Sequence, residues 1–182
     1  MSSLNRSFAL AFVVVAACAV VPQPSAVRSP SLGVPMTNDE LAAWDISIPP
    51  SGAGLPAGSG TARSGAAVYD QKCAACHGVK GVGKPADVLA GGQGSLASKT
   101  PLRTVGSYWP YATTLFDYVR RAMPITNPLS LTNDEVYAVS AYVLYLNGIV
   151  GEDAQMNAQT LPQVKMPNRD GFIDDWGPRA TK

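Results

Sequence analysis

Residues 73–77 read Cys-Ala-Ala-Cys-His, and they hold two of the chain's three cysteines and its only histidine. In a chain so poor in both residue types, this cluster calls for a partner that two thiols and one imidazole hold together. A structural zinc site needs four protein ligands, and outside this stretch the chain offers only Cys18. A thioredoxin-like redox pair follows a strand in a βαβ pattern, which the flanking sequence lacks. A plain disulfide between Cys73 and Cys76 leaves the adjacent His77 without a role.

Cys-x-x-Cys-His is the attachment signature of c-type haem. Cys73 and Cys76 are expected to add across the two vinyl groups as thioethers. His77 then falls beneath the iron as proximal ligand. A single such motif predicts one covalent haem c. Tethering also solves a size problem, because a small core does not easily bury and retain a loose haem. With no second histidine in the chain, bis-His ligation is excluded. The methionines beyond the N-terminal leader are Met36, Met123, Met156 and Met166. Met123 is the expected distal ligand, since "RRAMPITNP" places it between two helices on a loop stiffened by Pro124 and Pro128. Met166, also followed by proline, is its rival in the tail. His/Met ligation fills both axial positions and raises the reduction potential, which favours electron transfer over oxygen activation.

The remainder of the chain frames that group with helices. One helix is expected from about Ala62 to Cys73, with Gly65 and Tyr69 on one face. Another runs over Thr113 to Ala122, carrying Leu115, Tyr118, Val119 and Ala122 on a stripe and stopping before Pro124. The next starts at Thr132 with Glu135 three residues on, a capping box, and ends at Asn147-Gly148. A short helix over "NDELAAW" follows Thr37 as N-cap. With 17 glycines and 15 prolines among 182 residues, long segments must be irregular, and no strand ladder is expected. Asp117, Asp134 and Glu135 lie on helices or at a cap, and read as structural or solvated groups.

At the N-terminus, Arg6 and the apolar run Phe8–Val21 read as an export signal cut after Ala26. The run is too short to span a bilayer comfortably. Val15-Ala16-Ala17-Cys18 offers a rival, a lipobox with a lipid anchor on Cys18. The expected organisation is a signal peptide at 1–26, an extended arm at 27–60, a haem domain at 61–149 and an extended tail at 150–182. Charged residues are 15% of the chain and the net charge is +1, with no basic block to suggest nucleic acid. The mature chain is expected to be periplasmic and to lack a membrane span.

The helix ending in CxxCH, the methionine loop and the final helix resemble the class I c-type cytochromes. The fold expected from that resemblance is all-α, with helices around one covalently bound haem and long irregular N- and C-terminal extensions. In that family a glycine on the first helix packs against an aromatic residue on the last, which Gly65 and Tyr142 match. A closer resemblance covers roughly Met36 to Phe172. "AAWDI", "GKPAD", "GGQGSLAS", "VGSYWPYATTLFDYVRRAMP", "LTNDEVYAVSAYVLYLNGI" and "KMPNRDGF" are similar to the cytochrome c subunit of bacterial sulfur-oxidation dehydrogenases, the SoxD type. That subunit accompanies a molybdenum-cofactor protein of the sulfite-oxidase family. The resemblance implies that electrons from oxidation of sulfane sulfur or sulfite leave through this haem, towards an acceptor such as another cytochrome c. Some members carry a second haem domain, whereas this sequence has one CxxCH.

Trp109 and Arg103, near Tyr108 and Tyr111, are candidate contacts to the haem propionates, which are costly charges unless hydrogen-bonded. The competing reading is aromatic packing beside a solvated arginine face. Three functions follow: the haem subunit of a molybdenum dehydrogenase, a free periplasmic shuttle or subunit of another dehydrogenase, and an open-haem enzyme acting on thiosulfate or peroxide. A thioether on the iron opposes the third. The arm and tail are expected to clasp the dehydrogenase.

Overall fold

A computed structural model describes residues 32–173. The export signal, its rival at Cys18 and residues 174–182 lie outside the described residues. The chain divides into a unit of residues 1–37 and a unit of residues 38–182. The described end of the first, residues 32–37, is exposed throughout.

Among its described residues the second unit is built on five α-helices. These are α1 (Asn38–Trp44), α2 (Ala62–Lys72), the single turn α3 (Ala74–His77), α4 (Ala112–Ala122) and α5 (Asn133–Leu146). Two-residue strands β1 (Ser59–Gly60) and β2 (Met156–Asn157) pair antiparallel, Ser59 with Asn157 and Gly60 with Met156. Local chemistry sets the helix ends. The Thr132 hydroxyl accepts from the Glu135 N–H, while the Thr132 N–H donates to the Glu135 carboxylate at 2.8 Å, the reciprocal box expected for α5. At the other end Gly148 takes the left-handed conformation (φ +67) that follows a helix stop. A second box, unforeseen because its N3 residue is serine, caps α2 through Thr61 and Ser64.

Helices α2 and α5 cross where Gly65 meets Ala138, and the rings of Tyr69 and Tyr142 pack at a tilt, their centroids 5.2 Å apart, one turn on. Helix α4 closes the other side of α5 through Phe116 and Tyr137, 4.4 Å apart and both fully buried. These contacts form one core that buries Val136, Val139 and Leu144 as well. Of the stripe expected on α4, Leu115 and Val119 are buried, whereas Tyr118 is half exposed.

The arm and tail pack in a way that their composition does not announce. They clasp the chain's own helices over most of their described length. The Ile48 N–H donates to the Asp117 carboxylate at 2.9 Å, the Tyr137 hydroxyl to the Pro56 carbonyl, and the Ser59 N–H to Asp134 at 2.7 Å. From the tail, Met156, Leu161 and Met166 are buried in the same core. Arg63 on α2 bridges Glu152 and Asp153. The physical reason is that each segment carries a few large apolar residues spaced among turns, enough to bury against helices without forming regular structure. Asp117 is accordingly 8% exposed and holds both Arg121 and the arm. No helix among the described residues is long and apolar enough to cross a membrane.

Candidate metal centre

Helix α2 ends at Cys73, whose N–H donates to the Tyr69 carbonyl, and α3 begins at once. The His77 N–H closes that turn on the Cys73 carbonyl at 2.9 Å. One helical turn thereby presents Cys73, Cys76 and His77 together, with both thiols free. The following loop folds back beneath them. The Gly83 N–H donates to the His77 carbonyl at 2.7 Å and the Ala86 N–H to the Cys76 carbonyl at 2.8 Å. Gly78 makes this return feasible: its φ is +73, and a Cβ there would stand 2.4 Å from the Gly83 oxygen. The buried Tyr69 hydroxyl donates to the Gly78 carbonyl, and burial pushes its phenol up to about 12.

His77 Nδ1 lies 2.9 Å from the Asp87 backbone carbonyl. A carbonyl only accepts, so Nδ1 carries the proton and Nε2 keeps its lone pair for a metal. This is the orienting hydrogen bond that a metal-ligating imidazole uses. Sequence reasoning missed it, because a backbone carbonyl leaves no mark in a residue pattern.

Cys73, Cys76, His77 and Met123 all line one cavity of about 750 Å³. That volume lies in the range of cofactor pockets, about 300–1,000 Å³. Leu89, Leu115, Val119, Val139 and Val143 supply apolar wall. Arg103, Thr104, Trp109 and Tyr118 are among its polar residues, and the Trp109 and Tyr118 rings meet edge to face at 5.8 Å. The other two arginines of that stretch are engaged elsewhere: Arg120 donates to the Ile46 carbonyl and Arg121 pairs with Asp117. Arg103 stands over the Tyr108 ring, 5.6 Å from its centroid.

The donor set suits a haem. Two sulfurs, one imidazole with a free Nε2 and one thioether converge on a largely apolar space. Burial, and then the nearby Cys76, push the Cys73 thiol up to about 11, so this site disfavours a charged sulfur. A thioether, which bears no charge, fits such a position. No group of three or more His, Cys, Asp and Glu side chains that could hold a metal ion occurs among the described residues. Met166, the rival ligand, is 3% exposed in the core and does not line the cavity. Met156 is likewise buried on β2, and Met36 is exposed at 53%.

A family model described as cytochrome c oxidase, cbb3-type, subunit III matches residues 60–143. No curated protein matches the chain. Among solved structures, the chain is similar to the crystal structure of the sulfane dehydrogenase SoxCD from Paracoccus pantotrophus. The two share 42% sequence identity over 81% of this chain and 73% of that chain, with a TM-score of 0.76.

Proposed function

Since this chain belongs to the c-type cytochromes, in the family of the cytochrome subunit of SoxCD-type sulfane dehydrogenases, we propose that it is the haem subunit that accepts electrons from a molybdenum-cofactor sulfur dehydrogenase. The observation that carries this reading is the convergence of Cys73, Cys76, His77 and Met123 on one apolar cavity. In this reading the protein holds one haem c, is exported to the periplasm and delivers its electrons to an acceptor such as another cytochrome c.

When bound, the haem supplies a one-electron ferric/ferrous couple. The chain's own residues do the rest. Cys73 and Cys76 would hold the group by thioether bonds. His77 Nε2 would bind the iron, with the ring aimed by the Nδ1–H···O bond to Asp87. Met123, fixed at its backbone by the Val119 carbonyl at 3.0 Å, would supply the second ligand to the iron. Ligation by His77 and Met123 together would keep small oxidants off the iron, so the site would serve electron transfer rather than bond chemistry. The walls from Leu89, Val139 and Val143 keep water away, which holds the potential up. Arg103 and Trp109 offer N–H donors to the propionates.

The test is affinity purification of the tagged mature protein from its native periplasm, with iron and molybdenum analysis. Iron with stoichiometric molybdenum and a second polypeptide is expected. Iron alone, in a monomer that exchanges electrons freely, would make the chain a free shuttle instead.

A further inference from the structure

Asn147 closes α5, and from the sequence it reads as no more than a helix stop. It is 8% exposed, and its amide is fully engaged. Nδ2 donates to the Leu89 carbonyl at 3.1 Å and to the Val143 carbonyl at 2.9 Å. Oδ1 accepts from the Gly91 N–H at 2.9 Å, and the Asn147 main-chain carbonyl accepts from the Gln93 side chain, also at 2.9 Å. A side chain must both donate and accept to make this set. The fit is close: a Cβ on Gly106 would stand 2.1 Å from Oδ1, so Gly106 leaves the room that the amide fills. Of these bonds the one to Val143 serves the helix end. The other three join α5 to residues 89–93.

Residues 89–93 follow the loop that returns beneath the CxxCH turn. That loop is tied to its own start by the Leu89 and Ala90 N–H groups on the Gly81 carbonyl, and to α3 by the Ala86 N–H on the Cys76 carbonyl. Between those ties lies the Asp87 carbonyl, 2.9 Å from His77 Nδ1. Asn147 fixes the far end of this span to α5, whose Val139 and Val143 line the cavity. The Gly91 carbonyl in turn accepts from the Thr104 hydroxyl, which extends the tie to the segment bearing Arg103 and Val105 on the cavity wall. A hydrogen bond from Nδ1 raises the basicity of the imidazole at Nε2 and so favours the oxidised metal. Its strength depends on where the Asp87 carbonyl is held.

We propose that Asn147 is a positioning residue for His77: it holds the Asp87 carbonyl at hydrogen-bonding distance from Nδ1 and thereby tunes the reduction potential, without lining the cavity itself. This rests on the haem reading of the site and is independent of the partner that delivers the electrons.

The test uses holoprotein isotopically labelled at histidine nitrogen, which reports His77 alone because the chain has one histidine. Solvent exchange of the Nδ1 proton is followed by NMR in the reduced protein, beside the backbone amides of α5, for wild type and Asn147→Ala. The reduction potential of each is measured as well. In Asn147→Ala the Nδ1 proton is expected to exchange at least about 10-fold faster, beyond any acceleration of the α5 amides, and the potential is expected to shift positive. If Asn147→Ala yields no folded holoprotein, Asn147→Ser, which keeps one hydroxyl for these partners, carries the same comparison with an expected factor of at least ~3. A purely structural Asn147 would speed the Nδ1 proton and the α5 amides alike and leave the potential at its wild-type value. That result overturns the inference while the proposed function stands. Wild type that carries no covalent haem overturns the functional reading and the inference with it.

Discussion

Gly65 of α2 faces the Ala138 carbonyl of α5 so closely that a Cβ on Gly65 would stand 1.9 Å from that oxygen. The main chains of the two helices are thus in direct contact at their crossing, and Tyr69 and Tyr142 pack beside it. Because the obstacle is backbone, no side chain can yield. Gly65→Ala is expected to destabilise the holoprotein by about 3 kcal/mol, the upper end of ordinary overpacking, in denaturant unfolding followed by far-UV circular dichroism.

The buried carboxylate of Asp117 joins α4 to the arm. It accepts from the Ile48 N–H and pairs with Arg121 one turn on. Asp117→Ala leaves that N–H without its partner and is expected to cost about 1–3 kcal/mol. Limited proteolysis is the more specific readout: new cleavage is expected between residues 46 and 57, where wild type resists.

That role was not readable from the sequence, and the reason is physical. Helices α2, α4 and α5 announced themselves through caps, apolar spacing and a proline stop, all of them local signals. CxxCH announced the haem attachment in the same way. The Asp117–Ile48 bond joins residues 69 apart, and the β1–β2 bridge joins Gly60 to Met156. Neither partner of such a pair carries a pattern that points to the other. Arm and tail therefore read as extended segments for a partner, although most of their described length is stitched to the core. For the distal ligand the sequence offers placement alone, whereas the structure puts Met123 on the cavity wall and buries Met166 in the core.

Glu135 ties stability to pH. The Thr132 N–H bonded to its carboxylate holds it below its ordinary value of 4.5. A carboxyl with a depressed folded-state pKa contributes stability that is full above the unfolded value and is lost as pH falls through the folded one. Unfolding of wild type is therefore expected to ease as pH drops below about 4.5. In Glu135→Gln the same acid limb should be shallower, as read from the pH dependence of the denaturation midpoint.

Arg103 and Trp109 share the cavity with His77 and Met123. Removing a cation beside the iron favours its oxidised form, so Arg103→Gln is expected to lower the reduction potential by on the order of tens of millivolts, as one charge at a protein surface acts with about 1 kcal/mol or more. Trp109→Phe, which loses one N–H donor, should lower it by less. Potentiometric titration checks both. Unchanged potentials in the two variants would end the assignment of these residues to the propionates.

The identity of the distal ligand is the most exposed point of the account. Ferric haem with a thioether ligand shows a weak long-wavelength charge-transfer band, and that band can be followed in wild type, Met123→Leu and Met166→Leu. The account predicts the band in wild type and Met166→Leu, and its loss in Met123→Leu with the haem still covalently attached. A band that survives Met123→Leu and disappears in Met166→Leu would contradict it.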